Sequence, residues 1–157
     1  MIAEAGLAAL WLATGFALVQ VLLAWGAAKG ADQAGGPMVM AALRRVAIVQ
    51  GLLALAAFLL LVTLFVQSDM SVLLVVENSH SMKPLIYKIA GAWGNHEGSM
   101  LLWVTVLAIS GAGVALFEKR LPRGTLAATL GAQAAIAIGF YAFLAFASNP
   151  FVRVSPP

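Results

Sequence analysis

Four stretches of this chain, 6–28, 46–66, 99–117 and 125–147, contain no Asp, Glu, Lys, Arg or His. Nothing else in the sequence limits the fold so strongly. At about 1.5 Å rise per residue, some 20 apolar residues in a helix cross a hydrocarbon core of roughly 30 Å. Each stretch meets or approaches that length. With 62% hydrophobic and only 10% charged residues among 157, and a mean hydropathy of +0.98, the chain is far from a soluble domain, which is nearer half apolar and about a quarter charged. Its apolar surface belongs in lipid. The expected fold is an all-α integral membrane protein: one module over 1–157, with four transmembrane helices and a 67–98 loop on the outer face. A cleaved leader does not fit the first stretch. Only Glu4 is charged ahead of it, and it exceeds the apolar length of a signal peptide. It is read as a retained span.

The connecting segments set the orientation. Residues 29–45 carry Lys29, Arg44 and Arg45, with Gly30, Gly35, Gly36 and Pro37 as breakers, and read as a loop. Residues 118–124 form a short basic loop with Lys119, Arg120 and Arg123, and Pro122 helps to stop the helix there. Those two loops hold six Lys/Arg against Asp32 and Glu118, whereas the opposite side holds Lys83, Lys88 and Arg153. The positive-inside rule puts the two basic loops in the cytoplasm and both termini outside. In the 67–98 loop, 71–76 suits a short strand or a surface-lying segment. Residues 78–84 suit a turn, and 85–93 a short interfacial helix with Lys88 towards water.

The spans exclude much. Ionisable groups within a membrane usually mark ion paths or proton relays, and their absence argues against a self-contained pump or coupled transporter. Gln20, Gln50 and Gln133 are the strongest polar groups inside and read as interhelical hydrogen-bond partners. Small residues recur at every fourth position: Ala5, Ala9, Ala13 and Ala17 in the first span, Ala127, Gly131, Ala135 and Gly139 in the fourth. Such ridges serve packing within the bundle or docking of further helices. The chain has no cysteine, so thiolate metal sites and disulfides are out. His80 and His96 are its only histidines, and no metal site or catalytic residue is assigned. The net charge of +3 sits mostly beside apolar runs, a topology signal and not a nucleic-acid footprint.

The segment WGNHEGSMLLW, from Trp93 to Trp103, is the densest polar and aromatic stretch. Trp93 suits the membrane interface, where an indole keeps its body in lipid and its N–H in water. Gly94 and Gly98 allow close backbone approach, Glu97 suits the positive end of a helix, and Ser99 is a candidate cap. On one continuous helix Trp93, His96, Met100 and Trp103 would share a face. A flat aromatic ligand could stack there, with His96 or Met100 in reach of an iron. An interfacial belt, a cap and a relieved helix entry account for the same residues.

These residues carry a resemblance. WGNHEGSMLLW, the approach ENS…PLIYKIAGAWGNHEGS, the loop EKRLPRG and the tail SNPFVRVSPP resemble the N-terminal part of the cytochrome c-type biogenesis heme lyases of the CcmF/NrfE type. The likeness covers essentially the whole chain, but only about a quarter of a full-length member. It implies a multi-span protein of the bacterial inner membrane, one that attaches heme to CXXCH sites of apocytochrome c on the outer face. The remaining part of the lyase, other maturation proteins, apocytochrome c and a heme carrier would be its partners, besides membrane lipid. Family members hold heme with a tryptophan-rich periplasmic segment and with transmembrane histidines; neither lies within these 157 residues. The chain is thus expected to be a truncated or split N-terminal piece of a larger bundle, with no catalysis of its own. Trp93, His96, Glu97 and Trp103 are its candidate heme-supporting residues. A non-catalytic membrane scaffold is the competing reading, and a permease fragment a third.

Overall fold

A computed structural model describes residues 1–30 and 34–155; Asp32 and the last two prolines of the tail lie outside the described residues. The chain is helical: α1 (Ile2–Lys29), α2 (Gly36–Gln67), α3 (Leu73–Asn78), α4 (Leu85–Gly91), α5 (His96–Phe117) and α6 (Arg123–Phe146). Among the described residues the sole β-type pairing is an isolated antiparallel bridge between Val72 and Arg153. Four helices (α1, α2, α5 and α6) are long and apolar enough to cross a membrane, as the charge-free runs require. They form a ring in which α1 packs on α2 and α6, and α5 packs on α2 and, less extensively, on α6.

Two expectations about the connections need correction. The loop expected over 29–45 is helical from Gly36 onward. Pro37 stands in the first turn of α2, where the backbone N–H it lacks would have had no partner within the helix. Proline there starts a helix and does not break one. Arg44, now inside α2, donates through Nη1 to the carbonyls of Ala115 and Glu118, both at 2.7 Å. It thereby ties α2 to the C-terminal end of α5, whose last carbonyls lack intrahelical donors. For 71–76, read as a short strand or a surface-lying segment, it is the strand alternative that needs correcting. Only Val72 bridges in strand fashion, and from Leu73 the chain turns into α3.

The interior has three levels. Near the 67–98 segment a core gathers Leu10, Leu61, Leu64, Phe65, Leu101 and Tyr141, all fully buried. Towards the basic loops a smaller core gathers Met40, Leu43, Leu126 and Leu130. A polar layer of buried Gln20, Gln50 and Gln133 also lies inside the ring. Gln20 Nε2 donates to Gln133 Oε1 at 2.7 Å and to the Leu130 carbonyl at 2.8 Å, and Gln133 Nε2 reaches Gln50 Oε1 at 3.5 Å. The amides join α1, α2 and α6, the role their sequence positions suggest. The fourth helix contributes room: a Cβ on Gly111 of α5 would stand 2.6 Å from Gln133 Oε1. Replacing Gln133 by leucine removes the acceptor of Gln20 and the donor to Gln50. Buried interhelical hydrogen bonds are worth about 0.6 kcal/mol each in membranes, so the change should cost about 1 kcal/mol. Unfolding in mixed detergent and sodium dodecyl sulfate would report it, and an unshifted midpoint would contradict the role assigned to this layer.

The small-residue ridges divide. Ala9, Ala13 and Ala17 are buried, while Ala5 is exposed. On α6, Ala127 is buried and Gly131 meets the Ala24 methyl of α1, but Ala135 and Gly139 face outward. The first ridge serves the bundle; the second does so at one end only.

Candidate functional site

The chain passes from α4 to α5 through a tight turn, and each part of WGNHEGS has a definite place in it. Asn95 is extended (φ −128°, ψ 170°) and caps α5: its Oδ1 accepts from Gly98 N at 2.6 Å, and its Nδ2 donates to the Gly91 carbonyl at 2.7 Å. One side chain thus closes both the end of α4 and the start of α5. Ser99, the cap expected from the sequence, instead donates from Oγ to the Trp93 carbonyl at 2.7 Å. Asn95 takes the cap because the helix begins at His96, earlier than the charge-free run suggested. Glu97 lies in the first turn of α5, where a carboxylate is favoured by the helix dipole.

Gly98 is what lets the turn close. A Cβ there would overlap the carbonyl oxygen of buried Ala92 and lie 2.8 Å from its carbon. No side chain fits without moving backbone on both sides of the turn.

The four candidate residues do not converge. Trp93 precedes the helix, so it does not share a face with the others. Its ring packs at a tilt on Phe58 of α2, centroids 6.3 Å apart. His96 sets its ring edge-on against Phe143 of α6 at 5.5 Å. Met100 and Trp103, one and two turns along α5, continue the face of His96. Met100 is half-buried against the core and Trp103 is 67% exposed. Glu97 borders a cavity of about 190 Å³ with Leu74 and Glu77 of the α3 segment and Ser148, Asn149 and Val152 of the tail. The turn therefore presents an indole towards α2, and an imidazole with an exposed indole along the α5–α6 side.

The structure also assembles residues that sequence reasoning passed over. The tail returns across the same end of the bundle. Leu73 N donates to the Val152 carbonyl and Val154 N to the Ser71 carbonyl, both at 2.9 Å. The buried Phe151 ring occupies the space that a Cβ on Gly6 would need. Arg153 Nε donates to Glu4 Oε1 at 2.5 Å, and its Nη1 contacts the Ser71 hydroxyl. Ser71 in turn donates from Oγ to Asp69 at 2.6 Å, which holds the Asp69 carboxyl below its ordinary range. The Glu4 carboxylate raises the Arg153 guanidinium further above its already high value. Glu4 and Arg153 lie at opposite ends of the chain, so no local pattern could have paired them.

Heme tests these donors. Two side chains that were to hold one heme between them would have to reach it from different sides, and an imidazole and a thioether are types that could do so. His96 and Met100 stand one turn apart on one helix face and would approach from the same side. Among the described residues no group of three or more His, Cys, Asp or Glu is placed to hold a metal. The donors present therefore do not make a heme-ligating pair, and no ligation step is assigned to them. What the turn offers is a flat aromatic surface and a single imidazole.

Fold and site together define a membrane-embedded helical module: a four-helix ring with a polar layer inside, closed at one end by a glycine-dependent aromatic turn and a clamped tail. No protein-family model matches the chain. It is 51% identical over 157 residues to the cytochrome c-type biogenesis protein CycK of Bradyrhizobium diazoefficiens, covering 100% of this chain and 23% of that one. It is 38% identical over 157 residues to the cytochrome c-type biogenesis protein CcmF of Escherichia coli, covering 99% and 24%. Among solved structures it superimposes on the cytochrome c heme lyase CcmF with a TM-score of 0.80 at 26% identity, covering 99% of this chain and 25% of that one. The chain spans about a quarter of the length of the curated relatives it matches. Over that length it is a homologue of the N-terminal portion of the CcmF/CycK/NrfE cytochrome c biogenesis proteins.

Proposed function

We propose that this chain is the N-terminal membrane module of a cytochrome c maturation heme lyase. It supports heme handling and covalent heme attachment to apocytochrome c on the outer face of the bacterial inner membrane, in concert with the rest of the lyase. The similarity to CycK along the entire chain carries this reading. In the proposal both termini and the turn face the periplasm, as the six-to-three distribution of basic residues favours. The turn then meets heme, a heme carrier or apocytochrome c. Trp93 and Trp103 supply stacking surface, while His96 and Glu97 supply polar contacts beside it. The Asn95 cap and Gly98 fix where those side chains stand. The second reading, a membrane scaffold that only binds partner helices, draws on the outward-facing Ala135 and Gly139 of α6.

Two expected outcomes follow. The purified chain, given heme and a reduced CXXCH apoprotein, yields no covalent holocytochrome, because its donors do not make a ligating pair. Covalent product from this chain alone, read by heme stain after denaturing electrophoresis, would overturn that assignment. For the orientation, alkaline phosphatase fused after Ala34 is expected to be inactive and the same enzyme fused after Met82 active. The reverse pattern would invert the topology.

A further inference from the structure

Among the described residues α3 is the helix that packs closely along no other helix. Its backbone partner is the tail: Leu73 N donates to the Val152 carbonyl and Val154 N to the Ser71 carbonyl, on either side of the Val72–Arg153 bridge. The tail is fixed in turn to α1. Asn149 Oδ1 accepts from Phe151 N at 2.9 Å, closing a local turn. The Phe151 ring, 4% exposed, fills the notch over Gly6, and Arg153 pairs with Glu4. The tail therefore runs between the start of α1 and the α3 segment and ties the two together.

Two features set α3 against that tie. The chain leaves α2 through Ser68, which is left-handed (φ 53°, ψ 48°) and whose buried Oγ has no hydrogen-bond partner. A serine keeps such a conformation only where its surroundings hold it. Glu77 of α3 and Glu97 of α5 border the cavity of about 190 Å³ that the tail also lines. Glu4, Asp69 and Glu118 all have partners, whereas neither of these two carboxylates has a hydrogen bond or ion pair among the described residues. Like charges across one cavity favour separation.

We propose that residues 148–154 are a strap that holds the α3 segment against the start of α5, and that releasing it lets α3 swing out on Ser68 and opens the Glu77–Glu97 cavity. Movement of the tail as it leaves α6 is thereby passed to α3. Phe151 is the main latch, because a buried ring outweighs an ion pair whose two side chains are 39% and 57% exposed. The device needs this fold alone and is independent of the reading of the turn as a heme-supporting surface.

The chain has no cysteine, so a single introduced thiol reports the release. The test uses the full chain in detergent and the rate of labelling by a water-soluble maleimide at Val75→Cys, buried on α3, and at Leu101→Cys, buried in α5. Phe151→Ala with Arg153→Ala should speed labelling at position 75 at least about tenfold, as expected for local opening, and leave position 101 unchanged. Arg153→Ala alone should do less than Phe151→Ala alone. Gly6→Ala alters neither tail nor α3 but puts a methyl where the Phe151 ring lies, and should give a smaller rise at position 75. Gly15→Ala, where a Cβ meets nothing within 4 Å, should give none. An unchanged rate at position 75 in the double variant would overturn the proposal, since α3 would then be held without the tail. An equal rise at position 101 would overturn it as well, by assigning the tail to folding of the whole bundle.

Discussion

Gly98→Ala is expected to be among the most damaging single-atom changes in this chain, although alanine favours helices. The helix gains about 1 kcal/mol from the substitution in propensity. Against that, the new methyl overlaps the Ala92 carbonyl, which is backbone inside a closed turn and has no rotamer to escape into. Overpacking of a well-filled site costs about 1–3 kcal/mol. Moving the turn also strains the Asn95 cap, whose loss costs about 1 kcal/mol more. The steric terms win, and a net loss of about 2 kcal/mol is expected. Gly113 on the same helix is the control, because a Cβ there meets nothing within 4 Å; Gly113→Ala should be neutral or slightly stabilising. Thermal unfolding of the two variants in detergent decides it. A Gly98→Ala protein as heat-resistant as Gly113→Ala would mean that the turn is free to relax.

The four long helices were legible because lipid leaves the chain few choices. A charge-free run of about 20 residues satisfies its backbone only as a helix. The three glutamines were legible for a related reason: an amide inside such a bundle gains by finding another. Helix ends were harder. Gly36-Pro37 reads equally as a loop or as a first turn, and only the packing of Met40 and Leu43 against Leu126 and Leu130 decides for helix. The cap was misplaced because His96 and Glu97, polar residues, open an otherwise apolar helix. Trp93 seemed to share the face of His96 only on the assumption of one continuous helix, and the extended Asn95 interrupts it. The tail clamp had no signal at all. Phe151 against Gly6 and Arg153 against Glu4 are contacts between the two ends of the chain, visible only once the bundle brings those ends together.

The larger functional effect is expected from Trp93→Ala combined with His96→Ala. Neither side chain determines insertion, because residues 100–117 supply 18 apolar or neutral positions, near the lower limit for a span. Neither is central to the fold. Trp93 is 38% exposed, His96 is exposed, and their ring contacts, with Phe58 and Phe143, are worth about 0.5–1.5 kcal/mol each. Asn95 and Gly98, which shape the turn, remain. The double variant therefore removes the Trp93 and His96 part of the surface proposed to meet heme or its partners and leaves its frame standing. Since an aromatic stacking contact is worth about 0.5–1.5 kcal/mol beyond its buried area and a hydrogen bond about 0.5–1.5 kcal/mol net, a fall in maturation on the order of tenfold is expected. The decisive measurement quantifies this chain in membranes and heme-stained cytochrome c in the same cells, with the rest of the maturation system supplied. The account predicts membrane levels nearly unchanged and maturation strongly reduced. Maturation at the unaltered level would return the turn to a plain interfacial anchor, and a parallel fall in both quantities would assign it to folding.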